Sequence, residues 1–267
     1  MEKSKLIEML KNNPNIIATI NNPTDEMKYL AIKANGLMLK YIDNPTRKMQ
    51  ELAMENNPAA IKFINNPTEA MMIKAVNAGW PNLEYIKNPT EIVINLAVSE
   101  AGWAIRYVNN PSEELQLLAV RKNYDSIRLI KEPYESVQEE AVKISYDALR
   151  YIKSPTYNTE LIAVKNNEEA IKFINDLDKK KTLEFLKVNI LVIKYVMKEI
   201  SKAELEEVLK EELSKEDVEE KYVRDFLNYN TLDKNSDIME MDKIMFIYKY
   251  GSKKAKKITV DEKLKII

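Results

Sequence analysis

A chain of 267 residues that is 45% apolar and 31% charged holds enough hydrophobic side chains for a folded core. Its 41 Lys and Arg residues nearly balance 42 Asp and Glu, so no global field marks it for nucleic acid, an anionic membrane or an acidic substrate. Cys and His are absent and Gly occurs four times, which removes disulfides, thiolate chemistry, the usual near-neutral general base, dinucleotide turns and phosphate loops.

From the amino terminus, Met1-Glu2-Lys3-Ser4-Lys5-Leu6-Ile7-Glu8 turns charged again before a signal sequence could form. The longest apolar run, Ile190-Leu191-Val192-Ile193, is far too short to span a membrane. The expectation is a cytoplasmic protein without a membrane partner or a cofactor. Abundant Lys, Asn and Ile suggests an AT-rich bacterial or phage genome.

Pro23, Pro45, Pro67, Pro89, Pro111, Pro133 and Pro155 recur every 22 residues, a period that must be read before any single motif. Counting each unit from its proline, position nine is always Ala: Ala31, Ala53, Ala75, Ala97, Ala119, Ala141 and Ala163. Position seventeen is Leu or Ile, from Leu39 to Ile171, and aromatic residues dominate position nineteen: Tyr41, Phe63, Tyr85, Tyr107, Tyr151 and Phe173. Leu6, Met9, Leu10 and Ile17 fit an earlier unit starting at Met1, and Ile193-Lys194-Tyr195-Val196 matches Ile171-Lys172-Phe173-Ile174. About nine units result.

Each unit reads as two helical segments. Asn22, Asn44, Asn66, Asn88 and Asn110 precede a proline, which predicts an Asn cap with Pro in the first helical position. The helix should run about a dozen residues and stop near positions thirteen to fifteen, where Gly36, Gly79, Gly102, Pro58 and Pro81 supply turn chemistry. Its buried stripe is expected at positions 5, 8, 9 and 12. A shorter segment over positions 16–20 should bury 16, 17, 19 and 20 and turn the charged position 18 outward. Such a unit cannot bury its own face, so neighbours must stack.

After residue 198 the proline beat stops. Ser201 with Glu204, and Ser214 with Asp217, read as capping boxes; Ile238, Met241, Met245 and Tyr248 read as an apolar stripe ending near Gly251. Ser252-Lys253-Lys254-Ala255-Lys256-Lys257 reads as a solvated loop, with contact to an anionic partner as the alternative. The expectation is therefore an all-α solenoid of about nine two-segment repeats over 1–198, with a helical carboxy-terminal cap over 199–267.

The pattern in Ala53-Met54-Glu55-Asn56-Asn57-Pro58 and Ile61-Lys62-Phe63-Ile64-Asn65-Asn66-Pro67-Thr68 resembles the leucine-rich-repeat-variant type of short solenoid, and helical repeats of bacterial and phage proteins. The resemblance covers residues 1 to about 198, with a shorter period than is usual in that family. It implies an α-helix alternating with a short 3₁₀ helix, and it carries no catalytic residues to transfer.

Candidate site residues fall in columns. Adjacent carboxylates such as Glu113-Glu114 and Glu139-Glu140 diverge by about 100° on a helix and do not converge on a reacting atom, so an enzyme is not expected. Trp80, Trp103, Tyr124 and Tyr146 occupy position fourteen or fifteen of four consecutive units, where Gly36 and Pro58 stand earlier. They are either an interface hot spot or a cover over the ends of the repeat core. Arg106, Arg128 and Arg150 at position eighteen, and Arg121, Lys143, Lys165 and Lys187 at position eleven, form two cationic columns. These columns suit solubility, an acidic protein face or phosphates. The leading expectation is a scaffold that binds a partner protein, such as a host or defence protein if the source is a phage. Single-stranded RNA or DNA binding by aromatic and arginine ladders is the alternative.

Overall fold

The computed structural model describes residues 3–232 and 239–264. The fold is an all-α repeat solenoid, and among the described residues there is no strand. The chain divides into two compact units, Met1–Pro133 and Tyr134–Ile267.

Writing η for a 3₁₀ helix, the first unit runs α1 (Lys3–Asn12), η1 (Pro14–Thr19), α2 (Asp25–Ala34), η2 (Gly36–Tyr41), α3 (Arg47–Asn56), η3 (Pro58–Phe63), α4 (Glu69–Ala78), η4 (Trp80–Tyr85), α5 (Glu91–Glu100), η5 (Gly102–Tyr107), α6 (Glu113–Lys122) and η6 (Tyr124–Leu129). The second continues with α7 (Glu135–Ile144), η7 (Tyr146–Tyr151), α8 (Tyr157–Asn166), η8 (Glu168–Phe173), α9 (Lys179–Val188), η9 (Ile190–Val192) and α10 (Ile193–Val196). Then follow α11 (Lys202–Leu213), α12 (Glu220–Asn228), η10 (Asn230–Leu232), α13 (Lys243–Tyr250) and α14 (Lys253–Leu264). No described helix is long and apolar enough to cross a membrane.

The helix starts differ from the expectation. The proline lies outside the helix, and the hydroxyl after it is the cap: Thr24, Thr46, Thr68 and Ser112 each accept the backbone N–H three residues on. Asn22, Asn44 and Asn110 adopt left-handed backbone, with φ of 55°, 49° and 50°. Asn tolerates that conformation better than most residues, so the Asn-Pro pair makes the turn and leaves capping to the next side chain.

A second cap went unread in the sequence. Asn13, Asn35, Asn57, Asn167 and Asn189, at position thirteen, each accept the N–H two residues on and start the 3₁₀ helix. The full-length segments therefore cover positions 14–19, with about three residues per turn. Position 17 is buried throughout and positions 16 and 20 in most repeats, as Ala60, Ile61 and Ile64 show, with Asn82 and Val108 half-buried; position nineteen is left half-buried or exposed. Burying an Ile or Leu at position seventeen contributes about 1.5–3 kcal/mol.

The α-helical stripe is also turned from its expected place. Positions 5, 9 and 10 are buried throughout α2–α6 and position 12 is exposed, because each helix packs on its own 3₁₀ segment and on a neighbouring helix of the same unit. Position 6 turns inward with them and is often polar. Gln116 donates to the Pro111 carbonyl at 3.1 Å, and Gln138 accepts the Thr156 N–H at 3.1 Å. Those contacts satisfy polar groups of the Asn-Pro and Ser-Pro turns. All seven position-nine alanines are fully buried, as close helix approach requires.

Two glycines serve closeness rather than turning. A Cβ on Gly36 would lie 2.3 Å from the Ala53 carbonyl oxygen, and one on Gly102 would lie 2.1 Å from that of Ala119. Asn side chains bridge the same junctions: Asn56 accepts the Gly36 N–H and donates to the Lys33 carbonyl, and Asn123 accepts the Gly102 N–H.

In the carboxy-terminal helices the Ser201–Glu204 capping box forms, with the Glu204 carboxylate accepting the Ser201 N–H at 2.8 Å. Hydrogen bonds from the Ser201 side chain and backbone, helped by Lys179, pull the Glu204 carboxyl down to about 2. The second box does not form: Ser214 ends α11, donating to the Glu211 carbonyl, and α12 begins later, at Glu220. The expected stripe on α13 is inverted. Lys243, Phe246 and Ile247 are buried, whereas Met245 and Tyr248 face solvent; Met241 is buried ahead of the helix, and Ile238 lies outside the described residues. The Lys253–Lys257 run is the first part of α14, not a loop, because Ser252 caps it by accepting the Ala255 N–H.

Candidate partner-binding surface

In the first unit the 3₁₀ segments stack in sequence, each against the next. The fifth residues of η2 to η6, Lys40, Lys62, Glu84, Arg106 and Arg128, are all exposed. The residue after each is aromatic in four of the five, so cations stand on rings: the Lys40 ammonium is 4.4 Å from the Tyr41 centroid. Lys62 lies 5.1 Å from the Phe63 ring and 6.0 Å from Tyr85 of the following repeat. Such contacts hold a cation in place while leaving its outer side to solvent.

Neighbouring carboxylates divide this column. Position fifteen is Leu37, Ala59, Pro81 and Trp103 in successive repeats, then becomes Asp125, which pairs with Arg128 at 3.7 Å. Among the described residues no salt bridge neutralises Lys40, Lys62 or Arg106. In the second unit Arg150 pairs with Asp147 at 2.9 Å, Lys172 with Glu169 at 3.3 Å and Lys194 with Glu168 at 2.7 Å. Hydrogen bonding to Glu168 lifts the Lys194 ammonium above its ordinary value against its partial burial.

The four aromatic residues expected at the interhelix turn are half-buried. In the first unit Trp80 lies 6.3 Å from the Tyr107 ring, and the Trp103 indole N–H donates to Asp125 at 2.9 Å; Tyr124 opens η6. In the second, the Tyr146 hydroxyl donates to Glu169 at 3.2 Å and its ring stacks on Phe173 at 6.5 Å. Burial, then the Glu169 carboxylate, raises the Tyr146 phenol above its ordinary value. Trp80, Trp103 and Tyr146 thus reach into the following repeat, joining repeats as well as bordering the 3₁₀ edge. Within the first unit Arg106 stands on the same edge as Trp80 and Trp103, and within the second Arg150 stands beside Tyr146, its guanidinium 4.8 Å from the Phe173 ring.

The position-eleven cations sit on the α-helices. Arg121, Lys143 and Lys165 are exposed. Lys143 pairs with Glu139 on its own helix at 3.5 Å, but Lys165 pairs with Glu219, and Lys187 with Glu211 at 2.9 Å, both from the carboxy-terminal helices. Lys165 and Lys187 line a cleft of about 240 Å³ with Glu212, Lys215 and Tyr222. In the second unit this column holds the final helices against the last repeats.

One charged feature was missed altogether. Glu160, buried at position six, meets Lys181 of the next repeat at 2.6 Å, and Lys181 also meets Asp176 at 3.0 Å. Burial pushes the Glu160 carboxyl up despite Lys181, and the two carboxylates hold the Lys181 ammonium above its ordinary value despite burial. The position-six column of Gln116, Gln138 and Glu160 was the available signal. Among the described residues no three acidic side chains group as a metal site would require. No protein-family model, curated protein or solved structure matches the chain.

Proposed function

We propose that this chain is a non-catalytic scaffold that holds a partner protein along the 3₁₀ edge of its repeats. One observation carries the reading: in the first unit, Lys40, Lys62 and Arg106 occupy the same exposed slot of their repeats, each followed by an aromatic residue, and lack carboxylate partners. Five stacked segments at roughly 8–10 Å each run roughly 40–50 Å, long enough for one side of a standard interface. The absence of Cys and His supports a binding role over catalysis. The alternation of α and 3₁₀ helices supports kinship with leucine-rich-repeat-variant solenoids.

Affinity capture with mass spectrometry tests this against the triple variant Lys40→Glu, Lys62→Glu, Arg106→Glu. All three side chains are exposed, so folding should be preserved and checked by circular dichroism. A partner recovered by the wild type should fall at least about tenfold, the size of several exposed ion pairs reversed in sign. Undiminished capture by a folded variant refutes this edge as the contact surface. Single-stranded nucleic acid is the second reading, favoured by cations and aromatic rings at one pitch. Absence of a gel shift at low salt rules it out.

A further inference from the structure

The sign pattern of the first unit's edge defines more than a general affinity. Along η2 to η5 the fifth residues are Lys40, Lys62, Glu84 and Arg106, so the outward charges read plus, plus, minus, plus. The three cations have apolar residues at the position one turn earlier, Leu37, Ala59 and Trp103, where Asp125, Asp147 and Glu169 screen the later cations. Tyr41 and Tyr85 are 41% and 46% exposed beside the column, offering ring faces between charges.

Two spacings agree. Stacked helical segments lie roughly 8–10 Å apart. An extended peptide in the polyproline II conformation has three residues per turn and rises roughly 3.1 Å per residue, so every third residue returns to the same face and advances by about one repeat. A single-stranded nucleic acid has one sign throughout and would set a phosphate against Glu84. A second copy of this edge in parallel register would set like charges together.

We propose that the segment seated here is an extended acidic peptide. It places carboxylates opposite Lys40, Lys62 and Arg106 and a basic side chain opposite Glu84, with these groups at every third residue. This rests on the scaffold reading and names the chemistry of its partner. Glu84 is then a register residue: a peptide shifted by one repeat puts an acid against it.

Fluorescence anisotropy with the full chain tests the idea. The probes are labelled peptides with Glu, Glu, Lys and Glu at every third position, the same order reversed, and Glu at all four, with Ser and Thr between. The wild type should prefer one of the Lys-containing peptides to the all-Glu peptide by at least about threefold, and Glu84→Lys should reverse that order. An order that Glu84→Lys leaves unchanged, or no binding of any peptide, overturns the inference. So does single-stranded DNA that outcompetes every peptide and binds Glu84→Lys more tightly. If the peptides fail while a captured partner is still lost on triple charge reversal, the scaffold reading survives and this inference alone falls.

Discussion

Gly102→Ala adds one methyl group at a junction between consecutive repeats. Its Cβ would stand 2.1 Å from the Ala119 carbonyl oxygen, 3.0 Å from the carbonyl carbon and 3.3 Å from the Cα. All three are backbone atoms of α6, so no side-chain rotation relieves the overlap, and η5 and α6 must separate by about 1 Å. That movement costs about 1–3 kcal/mol as overpacking. It also stretches the Gly102 N–H to Asn123 hydrogen bond, now 2.9 Å, whose loss adds about 0.5–1.5 kcal/mol. The expected destabilisation is about 2–4 kcal/mol. Gly79→Ala is the control, because its Cβ would meet the Pro81 ring at an ordinary 3.7 Å. Restricting the unfolded chain should then leave it neutral or more stable by about 0.4–1 kcal/mol. Urea unfolding followed by far-UV circular dichroism measures both. Equal midpoints for the two variants would refute the argument that Gly102 is set by closeness of approach.

Two further outcomes follow from the turns and the buried charges. Asn44→Val should cost about 1–2 kcal/mol, since a β-branched side chain resists φ of 49°, whereas Asn44→Gly should change little; the difference in thermal midpoint checks it. Lys181→Leu should cost about 3 kcal/mol at neutral pH by stranding Glu160, and the double variant Glu160→Gln, Lys181→Leu should recover most of that. Without Lys181 the Glu160 carboxyl rises further, so the folded state binds more protons than the unfolded state above the ordinary carboxylate range. The deficit of Lys181→Leu should therefore shrink as pH falls toward that range and be largest above the raised value, read from urea midpoints across pH. A deficit independent of pH would show that Glu160 is not the stranded group.

The proline period and the invariant Ala of position nine were enough to read the repeat, its helical class and the outward position eighteen, because a periodic core imposes a periodic sequence. The capping was misassigned although its signal was present. Thr24, Thr46 and Thr68 stand one residue after the proline, but Asn-Pro looks like a cap and first turn until the left-handed backbone of Asn22 and Asn44 is seen. The inverted stripe of α13 shows the limit of periodicity. Met245 and Tyr248 are apolar at helical spacing, yet Lys243 is buried instead, its ammonium held by the Leu227 and Tyr229 carbonyls.

The amino-acid sequence by itself determined the unit and which residue types recur in it, since local turn chemistry and apolar spacing act within a single repeat. Contacts between repeats were decided by tertiary structure alone: the closeness of Gly102 to Ala119, the pairing of Glu160 with Lys181, and the engagement of Lys165 and Lys187 by the carboxy-terminal helices. The same holds for the edge proposed to bind. Lys40 and Arg150 occupy the same slot in sequence, but whether a cation is left to a partner depends on which carboxylate folds against it. That is set by distances between side chains, which a one-dimensional period does not contain.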